Sequence, residues 1–294
     1  MTNNSRSGSK QWLLFVSWTT ISLALFFRPV IALIRLSWQD ETYSHILLVP
    51  AITAWLLSLN FRKHEPPSRP ELWPGIAMLF MVVLAVFLGS NCSSCTPKDH
   101  LTINIGALVF TIVSGFCVCF GLQKARASGF ALAMLILAIP IPDFILGRIV
   151  VWLQSGSASI AEFLFNISGA PVIRDGFIFR LPKISIEVAE ECSGIRSSLA
   201  LLILALLVAH FSFERFWKKL VFVFAGLCMM LIKNGIRIAS LTLLANYVDS
   251  DFLYGKLHHR GGIVFFLFGL ALLFPVFWFL RKGEPRESRV ASTD

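Results

Sequence analysis

Charge is scarce in this chain. Only 15% of its 294 residues are Asp, Glu, Lys or Arg, against 56% hydrophobic. Soluble domains carry about 25% charge and about 45–50% apolar residues, so a soluble globular protein of this length is excluded. Acids are the scarcer sign, 17 against 26 Lys and Arg, which leaves a net charge of +9. That surplus is not the footprint of a nucleic-acid binder, because basic residues gather on the cytoplasmic loops of membrane proteins. No small-residue cleavage site follows the first apolar run (WLLFVSWTTISLALFF, after Arg6 and Lys10), so it is expected to stay as a span. Six cysteines form no framework of the kind that staples small secreted domains. Only Cys92 and Cys95, in CSSC, are close together; they suit a local disulfide if their loop faces an oxidising compartment. With no second CxxC, no HxxxH and no HExxH, neither a metal nor another cofactor is expected. Internal repeats and low-complexity tracts are missing too; the last dozen residues read as a solvated tail, and no appended soluble domain is expected.

What is present is a series of apolar runs, most of them near the roughly 17–25 residues that cross a bilayer. They fall at 11–34, 45–60, 72–90, 101–121, 127–142, 195–212, 216–248 and 261–280. Arg6 and Lys10, then Arg62, Lys63 and Arg69, then Lys124 and Arg126, then Arg215, Lys218 and Lys219, then Arg281, Lys282, Arg286 and Arg289 occupy alternate loops. All therefore lie on one side, which the positive-inside rule makes cytoplasmic together with both termini. Residues 144–168 carry apolar positions in helical period, interrupted by Arg148, Gln154, Ser155, Ser157, Ser159 and Glu162. They read as an amphipathic helix on the outer surface, since a crossing here would put every later basic loop outside. PVIRDGFIFRLPKISIEVAEE follows, β-branched and aromatic around an Asp175-Gly176 turn, and suggests a short hairpin. The expected fold is an all-α polytopic membrane protein, a single integral-membrane domain over 1–294. It has about eight transmembrane helices, an interfacial helix and a β-hairpin, with residues 143–191 extracytoplasmic.

Three polar residues then fall at one depth. Cys192 stands 22 residues before Glu214, about 33 Å of helix. Arg237 lies 18 residues past Lys219, about 27 Å, and His258 lies 23 residues before Arg281, about 35 Å. A hydrocarbon core is about 30 Å thick, so a thiol, a guanidinium and an imidazole on separate spans reach the outer interface together. Cys117, Cys119 and Cys228, inside spans, read as packing residues. Cys192 differs, because at a helix N-terminus the backbone N–H groups favour the thiolate. Arg196, one turn on, adds to that, while Glu190 and Glu191 oppose it. Either acid could instead orient a base or pair with an arginine. Lys233 and Arg237 share a helix face, and Asn234 is placed to hold the guanidinium.

This set fits nucleophilic acyl transfer. A thiolate attacks an amide carbonyl and a thioester forms; an arginine stabilises the developing oxyanion; a histidine protonates the leaving amine and then activates the acceptor. Two other classes compete. In a transporter or channel, Arg237, Lys233 and the histidines would bind an anionic solute, although such sites lie near the midplane between inverted repeats that are not visible here. In a metal-dependent hydrolase, His258, His259 and an acid would hold the ion, although adjacent histidines point to different faces of a helix.

EECSGIRSS, NGIRIASL and HHRGG followed by FF resemble the three signature blocks of the exosortase/archaeosortase family of membrane transpeptidases. TYSHILLVPAITAWLL, the IPIP run and GAPVIRDG add to the likeness, which covers residues 38 to 280. The resemblance implies Cys192 as nucleophile, Arg237 as its arginine, and His258, four residues before Gly262, as its histidine, with His259 left open. Glu191, Ser193, Arg196, Asn234 and His259 would support them. It further implies substrates that are membrane-anchored proteins with a C-terminal sorting signal: a short motif such as Pro-Glu-Pro, a transmembrane helix and a basic tail. Cleavage would fall on the outer face of the cell (inner) membrane, and the new C-terminus would pass to an unknown acceptor nucleophile, a lipid or surface polymer. The lipid bilayer is the other expected partner; nucleic acid is not one.

Overall fold

The computed structural model describes residues 2–62, 71–91, 93, 95–190, 194–249, 252 and 262–282. Among the described residues ten helices are formed: α1 (Thr2–Leu25), α2 (Phe27–Gln39), α3 (Val49–Arg62), α4 (Leu72–Ser90), α5 (Pro97–Ala127), α6 (Gly129–Met134), α7 (Asp143–Ser168), α8 (Ile195–Ser212), α9 (Phe216–Tyr247) and α10 (Gly262–Lys282). Short 3-10 helices precede α3 (Glu41–Leu47) and follow α6 (Leu135–Ala138). Among the described residues seven helices are long and apolar enough to cross a membrane, or eight if the bent pair α1–α2 is one span. Large apolar side chains face outward on them, among them Trp73, Phe216 and Phe279, as a lipid-solvated surface requires. This is a multi-pass, all-α membrane protein with one small sheet. The chain folds as two compact units, residues 1–146 and 147–294.

In the first unit α5 is the hub. It starts on a capping box, in which the Thr96 side chain accepts from the Asp99 N–H while Asp99 accepts from the Thr96 N–H. α4 runs antiparallel beside it: Ser114 Oγ donates to the Gly75 carbonyl (2.9 Å), and Gly89 lies against Ile103. α1 does the same, with Trp18 Nε1 donating to the Thr111 carbonyl at 2.9 Å. Trp12, Phe15, Phe61, Phe116 and Phe120 form one ring cluster where α1, α3 and α5 meet. Lys124 stacks over Phe61 at 4.5 Å, so the basic ends of these helices share one end of the unit.

Two spans depart from the sequence pattern. The first, expected over 11–34, breaks at Phe26 and turns through 78° into α2. The fifth, expected over 127–142, is helical only as far as Ala138 and runs extended through Ile139–Pro142. It nevertheless retraces α5. Leu135 packs on Ile105 and Val109, Thr102 Oγ1 donates to the Pro140 carbonyl (3.0 Å), and Thr96 Oγ1 donates to Asp143 (3.0 Å). Six helical residues, four in a 3-10 turn and four extended ones cover about 30 Å, so a short helix can still return the chain to the start of α5. Next, α7, expected on the interface, is a 26-residue helix whose length and composition also meet those of a span.

In the second unit the hairpin expected around Asp175-Gly176 is present and gains a third strand. β1 (Ile173–Asp175), β2 (Ile178–Arg180) and β3 (Ser185–Glu187) pair antiparallel, Ile173 opposite Arg180 and Ile178 opposite Glu187. The sheet buries Phe179 against Phe165 of α7, beside Leu181, Val188, Ile238 and Ala239. Gln154 Nε2 donates to the Val188 carbonyl (2.9 Å), and the Lys183 N–H donates to Asn246 Oδ1 (3.2 Å), pinning the strands to α7 and α9. α7 meets α9 where Gly235 leaves no room for a side chain: an added Cβ would stand 2.6 Å from Ile160 and 3.0 Å from the Ser157 carbonyl.

Candidate active site

α8 and α9 form an antiparallel pair whose register is fixed at several points along its length. Phe213 stacks on Phe222 at the tight turn, and Ala205 packs against Gly226. Further on, Lys233 Nζ donates to Ser197 Oγ, and the Asn234 amide lies against Gly194. α10 adds a third strut, with Lys218 Nζ donating to the Leu280 carbonyl (2.9 Å) at one end and Gly269 against the Lys233 stem towards the other. Lys233 is 3% exposed. It is therefore a buried tie joining α8, α9 and α10, and not a cation reaching for headgroups. Arg237 is half-buried one turn, about 6 Å, beyond it. The start of α10 at Gly262 lies seven residues, about 10 Å of helix, above Gly269 in the same sense.

Gly194 is the tightest point of the arrangement. Its φ of 75° is left-handed, and an added Cβ would stand 2.9 Å from Asn234 Oδ1 and 3.0 Å from Cγ. Asn234 is 2% exposed and donates to Ser157 Oγ (3.1 Å), so it cannot easily retreat. Replacing Gly194 by alanine costs about 1–2 kcal/mol for the backbone alone and also displaces the amide. Gly194→Ala is expected to lower the unfolding midpoint in detergent. A wild-type midpoint for this variant would refute the coupling of Gly194 to α9.

The expected site residues divide sharply. Glu191, Cys192, Ser193, His258 and His259 lie outside the described residues. Arg196 is exposed on the first turn of α8. Asn234, expected to hold a guanidinium, lies against Gly194 and donates to Ser157 Oγ of α7. Ser157, Ser197 and Gly194 were not singled out by sequence, although a glycine two residues after a candidate nucleophile is the sort of signal that marks a left-handed turn. The described flanks of the three blocks, Gly194, Arg237 and Gly262, all stand at the same end of the α8–α9–α10 bundle.

Against this geometry, a family model described as transmembrane exosortase matches residues 37–275, most of the chain. The chain belongs to the transmembrane exosortase family. No curated protein and no solved structure matches it. The exosortase match begins just before the 3-10 helix at Glu41–Leu47 and ends within α10, so it spans both compact units. Cys95 is disulfide-bonded, with its partner outside the described residues, whereas Cys117, Cys119 and Cys228 are free thiols. Cys117 and Cys119 are buried, and Cys228 is half-buried.

Proposed function

We propose that this exosortase is a cysteine transpeptidase. In this reading Cys192 attacks the scissile carbonyl of a C-terminal sorting signal, Arg237 stabilises the oxyanion, and His258 carries the proton to the leaving amine. Glu191, Ser193, Arg196 and Asn234 hold that set in place, with His259 adjacent to the base. One observation carries the reading: Gly194, two residues after Cys192, is locked to Asn234, three residues before Arg237. Chain connectivity alone keeps the Cys192 Cα within about 7.6 Å of Gly194. The antiparallel register, 205 beside 226 and 197 beside 233, runs on towards the turn of α9 that bears Arg237. The start of α10, four residues after His258, approaches the same end.

The step balances simply. The Cys192 sulfur forms a thioester with the substrate carbonyl as the C–N bond breaks; the amine leaves with the proton from His258, and the acceptor returns a proton as it displaces the thiol. A substrate with its own span can approach laterally from the bilayer, and its basic tail obeys the same charge rule as the enzyme. The test is to quench the enzyme with a signal-bearing membrane protein at low pH and examine it by mass spectrometry. A hydroxylamine-labile adduct on the peptide containing Cys192 is expected, together with one defined acceptor on the product's new C-terminus. An adduct on any other residue would overturn the assignment.

A further inference from the structure

The bend at Phe26 creates a second feature, independent of the catalytic reading. α2 leaves α1 at 78°, so if α1 crosses the bilayer, α2 runs close to its plane, as interfacial helices do. One stripe of α2, residues 28, 31, 32, 35, 36 and 39, lines a cleft of about 510 Å³ whose other wall is Pro97, Lys98 and Leu101 at the start of α5. The spacing i, i+3, i+4, i+7 makes that stripe a single helical face. Arg28 and Arg35 sit on it two turns apart, both exposed, and neither forms an ion pair among the described residues. Lys98 faces them across the cleft. It is steadied by Asp143 at 3.5 Å and by the Tyr43 ring at 5.7 Å. Among the described residues no acidic side chain lines the cleft; between the cations its walls are Ile31, Leu36 and Leu101.

Three cations around an apolar trough match one ligand chemistry, an anion carried on an alkyl chain. A transported solute would not need the trough, and bulk snorkelling would not need a cation on each wall. We propose that this cleft binds one phosphate-bearing membrane lipid, its phosphate held between Arg28, Arg35 and Lys98 and an alkyl chain laid along Ile31, Leu36 and Leu101. Arg28 and Arg35 lie about 10 Å apart along α2, so they can flank a single headgroup and not merely attract a diffuse anionic surface.

The experiment is a titration of the full-length, delipidated protein in detergent, read by native mass spectrometry, with phosphatidylglycerol as the probe. Saturation at one lipid per chain is expected. Arg28→Gln and Arg35→Gln should each weaken binding about fivefold, and Arg28→Ala with Arg35→Ala about thirtyfold. Arg28→Lys with Arg35→Lys should recover most of the affinity, since that pair keeps the charge. Unchanged binding by the double alanine variant would overturn the site, as would binding of inorganic phosphate or uncharged diacylglycerol as tight as that of the lipid. Should the double variant fail to fold, the two single glutamines still decide the matter. A several-fold loss in each supports the site, and no loss in either overturns it.

Discussion

A Cys192→Ala exosortase is expected to insert and fold normally, yet leave its substrate uncut. The measurement is a co-expression assay with a membrane protein bearing a tripartite C-terminal signal, followed as the ratio of full-length to processed protein. Removing the covalent nucleophile of a serine protease costs on the order of 10⁶-fold, so processing should fall below detection. Cys192→Ser should do nearly as badly, because a hydroxyl lacks the ready ionisation of a thiol. The unfolding midpoint of either variant should match the wild type. Persistent processing by Cys192→Ala would end the cysteine mechanism, whatever family the chain belongs to.

The second large effect belongs to Arg237. Loss of a donor aimed at a developing oxyanion costs about 10²–10³ in kcat, and Arg237→Ala should show a loss of that size with KM little changed. Arg237→Lys should recover only part of it, since an ammonium is a point charge without the planar fork of a guanidinium. A purely structural role predicts something else, a fall in unfolding midpoint with catalysis reduced in step. Lys233, Asn234 and Ser197 already tie this stretch of α9 to α8, so the bundle should survive loss of the guanidinium. A kcat within threefold of wild type for Arg237→Ala would remove it from the chemistry.

Much of the fold was legible because a bilayer is a demanding solvent. Long apolar runs have few alternatives, and α4, α8, α9 and α10 begin and end within one or two residues of the expected boundaries. The differences occur where composition and backbone part company. Residues 11–34 are mostly apolar, and hydropathy cannot register the 78° turn at Phe26. Residues 127–142 are apolar enough to span, but Pro140 and Pro142 forbid a continuous helix, so the passage is completed in extended form. α7 has the length of a span and the polar interruptions of a surface helix, and composition alone supports both.

For the site, residue types were more readable than their relations. Arg237 and Asn234 were visible as polar residues in an apolar segment. That Asn234 abuts Gly194, or that Lys233 is spent on Ser197, depends on how two helices are phased against each other. No short sequence pattern encodes that phase; it follows from small residues, Gly226 against Ala205 and Gly194 against Asn234, that let the helices close up.

The extended passage through Ile139–Pro142 depends on its neighbour. Backbone carbonyls without helical partners are not tolerated in hydrocarbon, and here Thr102 supplies one of the missing bonds to the buried Pro140. This stretch therefore draws its backbone partner from α5, the helix synthesised just before it, and the two form one structural pair.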